Sequence, residues 1–204
     1  MNTQNLKGTG VKMKKIILGL TGASGSIYFL RLAEQLSKRE IELHLVASQL
    51  GEQVLQYETG ITLSEQAVLW NANCAKVILE ANNNLFSAAA SGSSQFEAMA
   101  IVPCSMSTLA KLAHGITETL LTRAADVMLK ERRRLVLVPR ETPLSTVHLK
   151  NMTELSQLGA TILPAMPGFY GRPETMEDLI DFVVGKTLDS LEIENNEYKR
   201  WDGQ

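Results

Sequence analysis

The chain has 204 residues, 45% of them hydrophobic and 21% charged, which suits one compact domain with a sizeable core. A net charge of −2 argues against general nucleic-acid binding, and two cysteines, Cys74 and Cys104, are too few for a disulfide framework, so a reducing, cytoplasmic setting is expected. No apolar run reaches the roughly 18 residues of a membrane span, and the opening "MNTQNLKGTGVKMKK" lacks the apolar segment of a secretory signal.

Residues 1–13 read as an extension and 14–204 as a single domain. Lys15–Leu20 predicts a strand, and "TGASG" leads from it into an amphipathic helix over Ser26–Lys38. A second strand is expected over Ile41–Ser48, followed by helices Leu50–Glu58 and Ser64–Leu69. Next come a strand over Ala98–Cys104 and helices Ser107–Ala113 and Glu118–Arg132. The strand Leu135–Pro139, the helix Leu144–Leu158, the strand Thr161–Met166 and the helix Met176–Leu191 complete the series. Short runs rich in Ile, Val and Leu, alternating with amphipathic ones, predict an α/β fold: a flavodoxin-like, Rossmann-type sandwich of three layers around a parallel sheet.

In such sheets ligands bind beyond the carboxyl ends of the strands. The residues expected there are Gly22, Ala23 and Ser24, then Ser48, then Cys104 to Thr108, then Arg140 and Glu141, then "PAMPGFYGRP". Hydroxyls, helix N-termini and an arginine together make an anion-binding edge. The first loop is neither a Walker motif nor G-x-G-x-x-G, and Ser48 stands where a ribose-binding acid would be, so a mononucleotide fits better than a dinucleotide. Taken alone, that loop is equally a structural turn. Cations at the end of the Glu118–Arg132 helix suit its dipole, but Arg140-Glu141 at a strand end suggests phosphate binding with proton transfer. Lys186 falls at the edge of the apolar face of the last helix, as a snorkelling lysine or as a cation aimed into a pocket. His44, His114 and His148 have no metal-ligand spacing, so no metal is expected. Cys104 reads as a small buried thiol.

Several segments together resemble the UbiX flavin prenyltransferases: "GLTGASGSIY", "ASGSSQFEAMAIVPCSMSTLAKLAHG", "LLTRAADVMLKERRRLVLVPRETPLSTVHLKNM", "GATILPAMPGFYGRPETMEDLIDFVVGK" and "YKRW". The resemblance implies transfer of a dimethylallyl group from dimethylallyl monophosphate to N5 and C6 of reduced FMN, in a homododecamer, with the prenylated FMN passed to a UbiD-type decarboxylase. It implies FMN contacts from Gly22, Ala23, Ser24, Ser48, Ser105, Met106, Ser107, Thr108 and Arg140, with Ser91, Gly92 and Ser93 in a loop near the flavin. Arg123, Lys130, Tyr170 and Lys186 would bind the prenyl phosphate, with Lys130, Arg140 and Lys186 stabilising its departure and Glu141 helping to protonate it. Ser24 and Glu58 would lie near the reacting flavin edge, and Trp201 would cover the prenyl group. Lys186 replaces an arginine found in many members, and Ser107 a lysine or glycine. Two rivals are a phosphopantothenoylcysteine-type decarboxylase, whose first-helix histidine and asparagine motif are missing here, and a flavin carrier without enzymatic activity.

Overall fold

The computed structural model describes residues 13–203, so the expected extension over residues 1–12 lies outside the described residues. Six parallel strands form the sheet: β1 (Lys14–Leu20), β2 (Ile41–Ala47), β3 (Lys76–Glu80), β4 (Ala98–Cys104), β5 (Arg134–Pro139) and β6 (Thr161–Ile162), in the order β3-β2-β1-β4-β5-β6. The helices are α1 (Ser26–Ser37), α2 (Gln49–Thr59), α3 (Leu63–Trp70), α4 (Met106–Ala113), α5 (Leu120–Lys130), α6 (Thr146–Gln157) and α7 (Met176–Ser190).

The period of two along β1 sorts its side chains between two cores. Ile16, Leu18 and Leu20 join Phe29, Leu32 and Leu36 of α1 and Val183, Val184 and Leu188 of α7. Ile17 points the other way, toward Met99, Ile101, Leu121, Ala124 and Met128. Burial on both faces is why these strands are continuous apolar runs.

Two expectations are corrected. No element was expected between Leu69 and Ala98, yet "KVILE" pairs with β2 as the sheet's edge. It is short and only half-buried, so it lacks the apolar run that marks the central strands. The strand expected over Thr161–Met166 contracts to Thr161–Ile162, paired with Val136 and Leu137; beyond it Pro164 has no N–H to give a ladder, and Leu163 and Ala165 donate to β5 at the Leu137 and Pro139 carbonyls.

The unexpected β3 carries one arm of a polar ladder. His44 is buried between Glu80 Oε1 (2.7 Å to Nδ1) and Glu42 Oε1 (2.9 Å to Nε2). Lys15 donates to Glu42 at 2.7 Å, and this bond and the His44 contact hold the Glu42 carboxyl down at about 2 despite its burial. Every group of the ladder has a partner, as buried polar side chains require.

Candidate active site

With β3 counted, the strand order reverses direction between β1 and β4, the topological switch point where open α/β sheets bind ligands. Thr21, 1% exposed, pins the two loops there: its Oγ1 donates to the Pro103 carbonyl at 2.7 Å and accepts from the Ser105 backbone N–H at 2.8 Å. Thr21 opens the "TGASG" loop expected after the first strand, and its role is to hold that loop to the one after β4.

Hydroxyls at this edge serve first as helix caps. Ser48 Oγ accepts from Gly51 N at 3.0 Å and starts α2, and Ser105 Oγ accepts from Thr108 N at 3.2 Å and starts α4. The Ser105 hydroxyl donates to Thr108 Oγ1 at 3.0 Å. Ser107 is exposed on the first turn of α4, with Met106 beside it. The other first-turn N–H groups of α2 and α4 have no intrahelical acceptor, as at any helix start.

The N-terminus of α1 is different. Its cap position is Gly25, at φ 109°, a left-handed conformation suited to glycine, with no side-chain cap of its own. The cap comes from α2: Glu58 Oε2 accepts from Ser26 N at 2.9 Å and from Gly25 N at 3.1 Å. Burial alone pushes the Glu58 carboxyl up, but hydrogen bonds from the Ser24 hydroxyl and from the backbone of Ser26 and Gly25 outweigh it, and the group sits below its ordinary value. Among the helix starts on this edge, α1 is therefore not open to an anion, because a carboxylate occupies that place. Arg140 Nε donates to the Ser24 carbonyl at 3.0 Å, so Ser24, Glu58 and Arg140 are gathered on one loop. Arg140 has no ion pair among the described residues, and only its Nε has an acceptor there. Glu141, half-buried, accepts from Thr142 N at 3.0 Å.

A second group forms around α7 and the chain end. Tyr170 packs edge-on against Trp201 (5.9 Å between centroids) and Phe182 (5.8 Å). Lys186 lies 5.5 Å above the Tyr198 ring and borders a cavity of about 440 Å³ with Pro164, Met166 and Phe182. Lys186 is itself exposed, with its ammonium over a ring at the rim of that cavity. Ala165 N donates to the Pro139 carbonyl at 3.0 Å, which ties the loop before Tyr170 to the strand that carries Arg140.

A third group lies elsewhere. Lys130 is the last residue of α5, four residues before β5 begins, whereas Arg140 follows its end. The six residues of β5 put about 20 Å between the two ends of that strand. The expected cluster of Lys130 with Arg140 and Lys186 is thus not formed within one chain. Ser91, Gly92 and Ser93 are with Lys130: Arg133 donates to the Gly92 carbonyl at 2.6 Å, and the segment leads directly into β4. Arg123 lies two turns before Lys130 on the same face of α5, its Nε buried and without a partner. Cys104 is fully buried, which pushes its thiol up to about 12, so it is no nucleophile.

The arrangement suits FMN on this chain's own evidence. One cation, the starts of α2 and α4 and several hydroxyls converge at the switch point. No helix among the described residues is long and apolar enough to cross a membrane.

Comparison with known proteins agrees. The Flavoprotein family model matches residues 5–188. A flavin prenyltransferase UbiX from Halalkalibacterium halodurans is 50% identical over 188 residues, covering 90% of this chain and 91% of that protein. The crystal structure of AnUbiX in complex with FMN and dimethylallyl pyrophosphate superposes with a TM-score of 0.88 at 40% identity, covering 95% of this chain and all of that one. A dodecameric FMN-dependent UbiX-like decarboxylase from Escherichia coli O157:H7 gives 0.86 at 40% identity, covering 93% of this chain and all of that one. With half its residues shared over nine-tenths of its length, and the Ser24–Glu58–Arg140 loop built at the switch point, the chain belongs to the UbiX flavin prenyltransferases.

Proposed function

We propose that the chain transfers a dimethylallyl group from a dimethylallyl phosphate to N5 and C6 of reduced FMN, and that the prenylated FMN serves a UbiD-type decarboxylase. The observation that carries this reading is the Ser24–Glu58–Arg140 loop, where an ionised carboxylate, a hydroxyl and a guanidinium meet at the switch point. Bound FMN supplies the nucleophilic ring atoms. Gly22, Ala23, Ser48, Ser105, Met106, Ser107 and Thr108 line its place, with Arg140 beside Ser24 as a further contact.

The chain's own groups do the rest. Glu58 is ionised at neutral pH and accepts a proton through the Ser24 hydroxyl. Cleavage of the allylic C–O bond leaves its electron pair on the phosphate, which Lys186, Tyr170, Arg123 and Lys130 hold by charge and hydrogen bonds. Glu141 supplies a proton to that phosphate. The π face of Trp201, set beside Tyr170, stabilises the allylic cation.

Because Lys130 and Ser91 to Ser93 lie apart from Arg140, they complete, with Arg123 on the Lys130 face of α5, the site of a neighbouring copy. A homododecamer like that of the Escherichia coli relative provides such neighbours. The two cysteines are unpaired, in keeping with a cytoplasmic location. The test is anaerobic incubation with reduced FMN and, in separate arms, dimethylallyl monophosphate or diphosphate. A mass gain of one prenyl unit on FMN is expected with the monophosphate. Unchanged flavin in both arms overturns the reading and favours a flavin carrier.

A further inference from the structure

After α7 the chain folds back along that helix. Asp189 collects the returning segment: its carboxylate accepts from Arg200 (2.7 and 3.0 Å), the Tyr198 hydroxyl (2.7 Å) and Asn195 Nδ2 (2.8 Å). Arg200 also stacks on the Tyr198 ring, 5.1 Å from its centroid. Burial and the Asp189 bond push the Tyr198 phenol up to about 12, so it remains a neutral donor to that carboxylate.

Tyr198 begins a chain of edge-on rings. Its centroid is 5.3 Å from Phe182, Phe182 is 5.8 Å from Tyr170, and Tyr170 is 5.9 Å from Trp201. Two glycines make room for these rings. A Cβ on Gly185 would lie 2.4 Å from Tyr198 Cδ1, and one on Gly168 would lie 2.9 Å from Phe182 Cζ. Gly185 sits inside α7, where glycine weakens a helix relative to alanine. The place it leaves open is the one Tyr198 fills.

Lys186 rests on that same ring. Asp189, one turn away, is the carboxylate that would otherwise attract it, but Arg200, Tyr198 and Asn195 take up its oxygens. Lys186 makes no ion pair among the described residues. Its ammonium is thus held by a π face and left free for an anion.

We infer that Tyr198 is a positioning residue of the prenyl-transfer site: its ring seats Lys186 and, through Phe182, fixes Tyr170 and Trp201. The inference rests on the prenyl-transfer reading above. A lysine stem is flexible and its ammonium a point charge, so a ring beneath it supplies orientation that an arginine fork would carry in itself.

The test uses the full chain with Y198A, Y198F and G185A. G185A favours the helix intrinsically and puts a methyl where the ring lies, so it displaces the ring from the α7 side, and its far-UV circular dichroism and Tm check the fold. The readouts are KM and kcat for dimethylallyl monophosphate, its Kd by calorimetry, the FMN Kd, and acrylamide quenching of tryptophan fluorescence. Quenching reports Trp201, which is 65% exposed, because Trp70 is 3% exposed. Y198A and G185A are expected to raise the prenyl-phosphate KM and Kd at least tenfold, leave the FMN Kd within twofold, and raise quenching by half or more. Y198F, which keeps the ring, stays within threefold of wild type. Unchanged prenyl-phosphate Kd and quenching in Y198A overturn the inference, as does an equal loss of FMN affinity. A wild-type protein that does not prenylate FMN fails the function reading instead, and the Kd and quenching comparisons still decide the role of Tyr198.

Discussion

Glu58 can be removed with a calculable effect. Its carboxylate meets the N–H groups of Gly25 and Ser26 at the start of α1, a helix without a side-chain cap of its own. Loss of an N-cap acceptor costs about 1 kcal/mol, within a range of roughly 0.5–2, and hydrogen bonds to a charged group reach about 1.5–3 kcal/mol. Glu58 is solvent-exposed, so water replaces part of what is lost, and the estimate for E58A is about 1–2 kcal/mol. For a chain of this length that is a fall in Tm of roughly 2–8 °C. E58Q keeps an oxygen but loses the charge opposite the helix dipole, which is worth about 0.3–1 kcal/mol. The same contacts hold the Ser24 loop on which Arg140 rests, so ordering that loop is deferred to the moment of binding. The FMN Kd of E58A should therefore rise about five- to thirty-fold.

The pH dependence carries a sign. The Glu58 carboxyl is lower in the folded chain than unfolded, so its stabilisation is full above the unfolded value, about 4.3, and is lost as pH falls through the lower folded value. Wild type should lose Tm relative to E58Q only on that acid limb, with both measured by thermal denaturation at one protomer concentration. Equal Tm, equal FMN Kd and parallel acid limbs in wild type, E58Q and E58A would refute the cap and the loop argument together.

Mixing R140Q with K130Q subunits should restore part of the prenylation that each homo-oligomer lacks, because some sites then receive both intact residues; no recovery after subunit exchange would place both residues in one chain's site. Native protein should react with one equivalent of a thiol reagent per chain, at exposed Cys74, and with two once unfolded; fast labelling of Cys104 would contradict its burial. L43A, at a fully buried position of β2, should cost about 2–5 kcal/mol in urea denaturation while leaving the FMN Kd within twofold of wild type.

The sequence made the central strands legible, because strands buried on both faces must be continuous apolar runs, and β1, β2, β4 and β5 are such runs. It hid β3, since an edge strand in contact with solvent needs no such run. The loops at the switch point were legible through Gly22, Ser24, Ser105 and Arg140, whose types and spacing bear on an anion. Two contributions were not. Glu58 caps a helix more than thirty residues away in sequence, and no local pattern announces a cap from another element. Lys130 fits a phosphate site by type, but only the path of β5 shows that it stands a strand's length from Arg140.

The occupied start of α1 constrains how FMN lies. Its two backbone donors already face a carboxylate. A phosphate about 5 Å from Glu58 would meet a repulsion of about 3 kcal/mol per pair of unit charges at an effective dielectric of 20. On the proposed function the phosphate belongs with the starts of α2 and α4, where first-turn donors lack intrahelical acceptors. On the same reading the neutral ring edge falls beside Ser24 and Glu58, at the end of the site where a proton would be taken. On the proposed function the Gly-rich turn after β1 is thus less a phosphate cradle than a wall for the reacting ring; its glycine at φ 109° serves the bend that brings Gly25 and Ser26 onto Glu58. The argument gives a discriminating measurement. E58Q should bind inorganic phosphate at this site no more tightly than wild type, whereas a phosphate seated on α1 would gain affinity once the carboxylate charge is gone.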